Sequence, residues 1–151
     1  QDWKRNIQFK SGDKTRSKYL AYHLWFSTRD MARIGYLMLR KGTWKEKSIL
    51  SADWVKLITT PVTTYLEAMK NHTNYFDFGY GYLWWIWDSK MKNRGYKGGY
   101  TASGAFGQFI TILPAVDLVI AHKTNYEKYG KNTPTEIYLK IVEMLLAAKK
   151  K

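Results

Sequence analysis

The stretch Phe106-Gly-Gln-Phe-Ile-Thr-Ile-Leu113, followed by Pro114-Ala115 and then by Asp117-Leu-Val-Ile-Ala-His-Lys-Thr124, decides the fold. Both halves are rich in β-branched and aromatic residues, which suit the pleated, half-buried positions of a strand. A proline between two such runs is typical of a turn, because it cannot take part in the ladder of hydrogen bonds. We therefore predict a β-hairpin with strands over 106–113 and 117–124.

An aromatic stretch precedes this hairpin. Residues 78–87 have the sequence Phe-Gly-Tyr-Gly-Tyr-Leu-Trp-Trp-Ile-Trp, in which strand formers dominate. Alternation along one continuous strand would place on a single face Phe78, Tyr80, Tyr82, Trp84 and Ile86. Residues 88–99 are charged and contain glycine, as turns do, and residues 100–103 can form a short strand. The sequence thus predicts an antiparallel sheet of about three strands.

Two helices are predicted before these strands. Ser27 can cap the first, with Asp30 at the capping-box position, and Gly42 can end it. The second begins after Ser51 and ends before Pro61, because the residue before a proline avoids the helical region. Their apolar sides are Met31, Ile34, Leu37 and Met38 in the first and Trp54, Val55 and Ile58 in the second. Residues 60–77 are predicted as loop.

A third helix closes the chain. Thr133, Pro134 and Glu136 occupy cap, first-turn and capping-box positions. Its predicted buried stripe is Ile137, Ile141, Met144, Leu145 and Ala148. Residues 1–22 are polar and basic without a clear period, so we predict an extended lead-in there. Helices on both sides of a strand meander indicate an α+β fold with an antiparallel sheet flanked by helices.

The composition argues against several kinds of site. The 151 residues suit one domain with a proper core. The chain has no Cys, and its three histidines are far apart in sequence, so we expect no metal site. The net charge of +13 is scattered except for Lys149 to Lys151, and we expect no nucleic-acid partner. No apolar run reaches the roughly 18–20 residues of a membrane span.

Six segments, in chain order, resemble one family of enzymes. They are 27–35 (STRDMARIG), 39–44 (LRKGTW), 49–55 (ILSADWV), 80–85 (YGYLWW), 102–108 (ASGAFGQ) and 114–119 (PAVDLV). The first is similar to the family's S-x-R-D-(M/L)-A-R-x-G helix, the fifth to its A-x-G-x-x-G-Q strand and turn. The family is that of serine β-lactamase-like hydrolases, which includes AmpC-type β-lactamases, penicillin-binding proteins, esterases and D-amino-acid peptidases.

The resemblance implies a β-lactamase/transpeptidase-like fold, of which residues 1–151 would be the C-terminal part of one domain. It also implies an acyl-enzyme reaction on an ester, an amide or a β-lactam, without cofactor or metal. Such chemistry needs a Ser-x-x-Lys nucleophile helix. Its letters occur at Ser11-Gly-Asp-Lys14, but that stretch is polar and contains glycine, unlike the start of a buried helix. We therefore expect no catalytic residue in this chain, which would be an inactive fragment that starts internally at Gln1.

The resemblance also assigns candidate site residues. Ala102-Ser103-Gly104 would take the place of the family's Lys-Thr-Gly motif. The candidate oxyanion strand is then Ser103, Gly104 and Ala105, with the Ala105 N–H as half of an oxyanion hole. Ala102 stands where that motif has its lysine, which favours the esterase- and peptidase-like branches. The residues predicted to line a substrate cleft are Trp84, Trp85 and Gln108. Core packing is the alternative for either tryptophan, and an outward position on the strand is the alternative for Gln108.

Partners follow from the same resemblance. They are a small-molecule or peptide substrate, and either a complementary N-terminal fragment or a second copy that pairs with strand 117–124. The strand could otherwise pair with the chain's own lead-in. A periplasmic or secreted location is implied. The alternative function, from another class, is a stand-alone module whose aromatic strand face binds a glycan or a peptide.

Overall fold

The computed structural model describes residues 7–15, 17–19, 21–70, 78–90 and 94–149, without the side chains of 7–11, 22 and 90. The strands are β1 (Ile7–Ser11), β2 (Ala21–Trp25), β3 (Thr43–Trp44), β4 (Lys47–Ser48), β5 (Gly79–Tyr80), β6 (Trp85–Ile86), β7 (Tyr100–Gly104), β8 (Gln108–Leu113) and β9 (Leu118–His122). The helices are α1 (Thr28–Leu39), α2 (Ala52–Ile58), α3 (Tyr65–Lys70), α4 (Tyr126–Tyr129) and α5 (Thr135–Lys149). Within the described ranges, no helix is both long and apolar enough to cross a membrane.

Five strands form the main sheet, in the order β5-β6-β7-β8-β9, and each pairs antiparallel with the next. Helix α1 lies across β8 and β9 on one face. Helix α5 covers the other face, where Tyr138 stacks on Phe109 with ring centroids 4.0 Å apart. The predicted α+β class is confirmed, with five strands in this sheet instead of about three.

The hairpin that ends the sheet is confirmed with slightly shorter strands than predicted. β8 and β9 pair from Phe109 opposite His122 to Leu113 opposite Leu118. The connection is a single 3-10 turn, Pro114–Val116, followed by Asp117 in the left-handed conformation. Proline at the start of that turn suits it, because its fixed φ matches the turn and its missing N–H is not needed there.

The prediction of one continuous strand over 78–87 is wrong. The chain reverses between β5 and β6, where the Gly81 N–H donates to the Trp84 carbonyl (2.8 Å) and Leu83 takes a positive φ of 65°. A Cβ on Gly81 would lie 2.7 Å from the Ile58 carbonyl oxygen, so only glycine lets the turn lie this close to α2. One continuous strand would have placed Phe78 and Trp87 on opposite faces. The reversal instead brings their rings together, with centroids 4.8 Å apart.

Two further predictions need correction. The expected lead-in over 1–22 contains a strand, because β1 pairs antiparallel with β2 from Ile7 opposite Trp25 to Ser11 opposite Ala21. The expected loop over 60–77 contains α3, whose first turn is stabilised by Glu67 accepting hydrogen bonds from the N–H and hydroxyl of Thr64. The rest of that predicted loop, 71–77, lies outside the described residues.

The first two predicted helices are confirmed by their caps. Ser27 accepts a hydrogen bond from the Asp30 N–H, and Ser51 accepts one from the Trp54 N–H. Helix α1 buries Met31 and Met38, and Gly35 between them lets the helix approach β9 closely. A Cβ on Gly35 would lie 2.5 Å from a methyl of Val119. Trp54, predicted on the apolar side of α2, is instead 50% exposed.

Helix α5 forms where predicted, but the predicted stripe is not its buried face. The buried side chains are Tyr138, Val142 and Leu146. In contrast Ile137 is 49% exposed, Met144 71% and Leu145 42%. Apolar residues surround most of this helix, so periodicity alone could not select the face that meets the sheet.

A chain of buried hydrogen bonds joins four elements inside the core. The indole N–H of Trp87 donates to the Thr101 hydroxyl at 2.8 Å. The Thr101 hydroxyl lies 2.8 Å from that of Thr111, which lies 2.6 Å from the Tyr138 hydroxyl. Because each buried polar group has a partner, none carries the cost of an unsatisfied donor or acceptor. These bonds connect β7 to its neighbours and to α5.

Candidate active site

Strand β7 extends beyond its neighbour β6. Trp85 and Ile86 of β6 pair with Thr101 and Tyr100, and no pairing with β6 continues toward Gly104 in the described residues. The Trp87 N–H donates to the Gly99 carbonyl at 3.0 Å, so the backbone of Gly99 is directed toward β6. Alternate residues of a strand bond to the same side, which directs the backbone of Ser103 the same way. Ser103 therefore presents its N–H and C=O where β6 has already ended.

The turn after β7 places the Ala105 backbone at the surface. Gly104 pairs with Gln108, which leaves Ala105, Phe106 and Gly107 as the loop of the hairpin. Gly104 and Ala105 are exposed and Ser103 is half-buried. The structure thus places Ser103, Gly104 and Ala105 together at one accessible end of the sheet.

The three predicted cleft residues are divided between core and surface. Trp84 is 8% exposed and packs edge-on against Tyr100 at 5.2 Å, which is the core position considered as its alternative. Trp85 is half-buried on the opposite face and contacts Tyr80, with ring centroids 4.7 Å apart. Gln108 is half-buried at the start of β8, opposite Gly104. Trp85 and Gln108 remain candidates for a cleft wall.

The letters Ser-x-x-Lys occur twice in the chain. The sequence analysis considered the first match, at Ser11, and overlooked the second. Ser11 lies on β1, and its side chain is outside the described part of the chain. Ser89-Lys-Met-Lys92 is a second match, which a scan of every serine would have found. Ser89 lies in the 3-10 turn Asp88–Lys90, just past the pairing of Trp87 with Gly99. Five residues of strand separate Gly99 from Gly104, about 16 Å at 3.3 Å per residue, so Ser89 is remote from the proposed oxyanion donor.

Asp88, beside that serine, has a structural role. Its carboxylate accepts hydrogen bonds from the backbone N–H groups of Gly79 (2.7 Å), Tyr65 (2.8 Å) and Ser89 (3.0 Å). These bonds join the start of α3, the start of β5 and the turn after β6. One carboxylate that accepts three backbone N–H groups thus fixes three chain segments relative to one another.

His122 of β9 pairs with Phe109, the second residue of β8. Its Nε2 lies 2.9 Å from the Thr133 hydroxyl, and partial burial lowers the pKa of the imidazole. Burial thus favours the neutral form of the ring, which packs beside Tyr138 with centroids 5.6 Å apart. Among the described residues no group of three His, Asp or Glu side chains is placed to hold a metal ion.

The described residues enclose little space of their own. The best-formed indentation has room for about one water molecule, and Trp85, Thr101 and Tyr138 are among its lining residues. It lies over the α5 face of the sheet and not at the exposed turn. A substrate cleft at Ala105 would therefore need a second wall from another polypeptide segment.

Comparison with known proteins supports the fold. No family model matches the sequence. A solved structure described as a putative 6-aminohexanoate-dimer hydrolase from Bacillus anthracis is similar, with a TM-score of 0.63 and 23% identity over 85% of this chain. The chain has part of a β-lactamase/transpeptidase-like fold. It spans 30% of the length of that similar structure, so most of the β-lactamase-like fold there lies outside the matched part.

Proposed function

We propose that this chain supplies the oxyanion strand of a serine hydrolase that acts on an ester, an amide or a β-lactam. The observation that carries the proposal is the accessible end of β7, where Ser103 and Ala105 present their backbones beyond β6 in a β-lactamase-like fold. The similar structure, described as a hydrolase, supports the same reaction class. The nucleophilic serine would come from a segment other than these 151 residues.

The chemistry assigned to the chain is electrostatic. An activated serine hydroxyl loses its proton to a neighbouring base and attacks the carbonyl carbon, and the carbonyl oxygen becomes an oxyanion. The Ala105 N–H donates to that oxyanion, and a second N–H from the nucleophile segment completes the pair. Collapse breaks the C–O or C–N bond while the base returns its proton to the departing oxygen or nitrogen, which in a β-lactam stays attached to the acyl group. Water then attacks the acyl-enzyme and releases the acid and the free serine.

We expect the 151-residue chain by itself to be inactive. Ser89 is remote from Ala105, and Ser11 lies in strand β1, which pairs with β2, so we expect neither serine to act as the nucleophile. Hydrolysis of nitrocefin and of nitrophenyl acetate should be no faster than with an unrelated protein at equal concentration. The proposal would be contradicted by turnover that persists in a Ser11→Ala, Ser89→Ala, Ser103→Ala triple variant, or by a fluorophosphonate label on any of these serines.

We also propose that the outer edge of β9, which has no partner strand among the described residues, pairs with a strand of the segment that carries the serine. β9 is the last strand of the sheet, and the lead-in strand β1 pairs with β2 instead. Successive residues of an antiparallel strand direct their backbone N–H and C=O groups to opposite neighbours. When this alternation is followed strand by strand from β6, the groups of Val119 and Ala121 face the outer edge of β9. An apolar edge of this kind is a template for pairing.

The exposed flank of α5 extends the same surface. Leu139 and Glu143, on one side of the helix, lie beside Trp87 and Tyr96. The other side, which carries Ile137 and Leu145, is therefore turned toward the β9 edge. A strand paired to β9 would lie next to this apolar flank, so pairing and apolar burial would stabilise one interface together.

The edge proposal predicts a specific effect of proline. In Ala121→Pro the lost N–H is one directed away from β8, so the chain should still fold while its edge can no longer pair. Wild-type chain should associate with a peptide or fragment containing the complementary strand, or self-associate, in analytical ultracentrifugation, and Ala121→Pro should not. A wild-type chain that stays monomeric at high concentration and binds no complementary fragment would refute the pairing.

The alternative of a glycan- or peptide-binding module is not favoured. It required an exposed aromatic strand face over 78–87, but Phe78, Trp84 and Trp87 are each 8% exposed or less. Trp85 alone among the tryptophans of this segment is half-buried. Tyr80 is half-buried against Trp85, and the exposed Tyr82 lies in the turn between β5 and β6 and not on a strand. The segment therefore lacks the continuous aromatic strand face on which a sugar would stack.

A further inference from the structure

Two aromatic rings stack at the end of the sheet, and one of them belongs to the residue that follows the proposed oxyanion donor in the chain. Phe106 and Tyr126 lie with ring centroids 4.5 Å apart and planes 25° from parallel. Phe106 is 47% exposed and Tyr126 40% exposed. Phe106 directly follows Ala105, so this aromatic pair begins one residue from the backbone N–H that we assign to the oxyanion.

The position of Phe106 is fixed by contacts on both sides. The Thr124 hydroxyl donates to the Phe106 carbonyl. Gly107 lies so close to the loop before α5 that a Cβ there would be 2.4 Å from the Thr133 nitrogen. The backbone of Phe106 is therefore held in place, and its ring lies against Tyr126 with about half of the residue exposed.

Holding the ring there is unfavourable for folding alone. Phe106 has a φ of 63°, in the left-handed region that a bulky side chain rarely adopts. Glycine would satisfy this turn without strain, and a polar residue would avoid exposing an apolar ring. Strain of this kind persists where the surroundings over-determine it, and it concentrates at binding sites.

We propose that the Phe106–Tyr126 pair is a subsite for an uncharged, flat apolar group of the substrate, next to the scissile carbonyl. The inference rests on the proposed function for its orientation, because Ala105 and Phe106 are consecutive. Residues 102–107 carry no charged side chain. The two lysines within three residues of Tyr126 make other contacts: Lys123 donates to the Phe26 carbonyl, and Lys128 lies over the Tyr129 ring. An ester or amide with a neutral aryl or alkyl group fits this subsite better than an anionic one.

Binding to the pair can be measured without hydrolysis. The chain, labelled with ¹⁵N, is titrated with phenylacetamide and in parallel with acetamide, which lacks the ring. Phenylacetamide should give saturable shifts of the amide signals of Ala105 and Gly107, and acetamide should give none at the same concentration. Phe106→Gly should bind phenylacetamide about two- to tenfold more weakly, the range of one aromatic contact.

The matched variants separate binding from folding. Phe106→Gly removes the ring and the strained φ together, so its melting temperature should equal or exceed that of the wild type. Tyr129→Ala, which removes an exposed neighbouring ring, should leave the titration unchanged. Equal shifts with both amides, or undiminished binding by Phe106→Gly, would overturn the subsite. Failure of the proposed hydrolysis would instead appear as a lack of turnover with the serine-carrying segment present, and would leave the phenylacetamide shifts intact.

Discussion

Replacing Leu146 with alanine should lower the free energy of unfolding by about 2–5 kcal/mol, the usual cost of truncating a buried leucine. Leu146 is 6% exposed and belongs to the core formed by α5, Phe109 and Ile120. Leu145, the adjacent residue, is 42% exposed. Leu145→Ala should therefore cost less than about 1 kcal/mol, because a truncated surface residue leaves no cavity. Urea unfolding of the two variants measures both values.

The pair of variants tests which face of α5 meets the sheet. If Leu145→Ala were the more damaging substitution, the predicted stripe that contains Ile137 and Leu145 would be the buried one after all. Small losses in both variants would show that the helix is not docked. The comparison is sharp because the two residues are chemically identical and adjacent.

Replacing Ala105 with proline should lower kcat by about 10²–10³ when the chain is assembled with the serine-carrying segment, the usual cost of losing one oxyanion donor. Proline has no N–H to donate. The closing pair of the hairpin is formed by Gly104 and Gln108, so the strand register does not depend on Ala105. Gly104 is extended, as the residue before a proline prefers. Nitrophenyl ester hydrolysis measures the loss.

Ala105→Gly is the control, because it retains the N–H. It should keep kcat within a few-fold of the wild type, and both variants should bind substrate with similar KM, since the donor acts mainly in the transition state. A proline variant as active as the wild type, with its fold intact by circular dichroism, would remove Ala105 from the oxyanion hole.

Local chemistry determined what could be predicted about the fold. Helix α1 was placed correctly because a serine cap and a glycine stop are signals within a few residues of each end. The break in 78–87 could not be predicted from alternation, since Leu83 is a strand former that the tertiary structure holds at a positive φ. The pairing of β1 with β2 was missed because residues 1–22 show no alternation.

The prediction of the buried face of α5 was wrong for a different reason. Ile137, Tyr138, Leu139 and Ile141 are all apolar, so several stripes satisfy a helical period. The sheet selects Tyr138 because its ring stacks on Phe109 and its hydroxyl reaches Thr111. The sequence pattern of one helix contains no information about the Thr111 hydroxyl on the strand that it packs against.

The role of the candidate site stays a prediction, and the structure bears only on where its residues lie. Ser103 is half-buried and Ala105 is exposed at the end of β7. Trp84 and Trp85 could not be separated from sequence, because which of two adjacent residues faces the core depends on register. The stacked pair of Phe106 and Tyr126 was missed, since the two residues are far apart in the chain and meet through the end of the hairpin.

The buried hydroxyl chain has a consequence for how this sheet avoids misfolding. A slip of β7 by one residue against β8 would turn every side chain of β7 to the opposite face. Thr101 would then lose both Thr111 and Trp87, and polar groups would be stranded in an apolar interior at a cost of about 1–3 kcal/mol each. Apolar side chains alone would tolerate such a slip more readily, because one aliphatic contact can replace another. The buried threonines thus specify the native register of β7 against β8. That register in turn determines which residues lie at the end of β7.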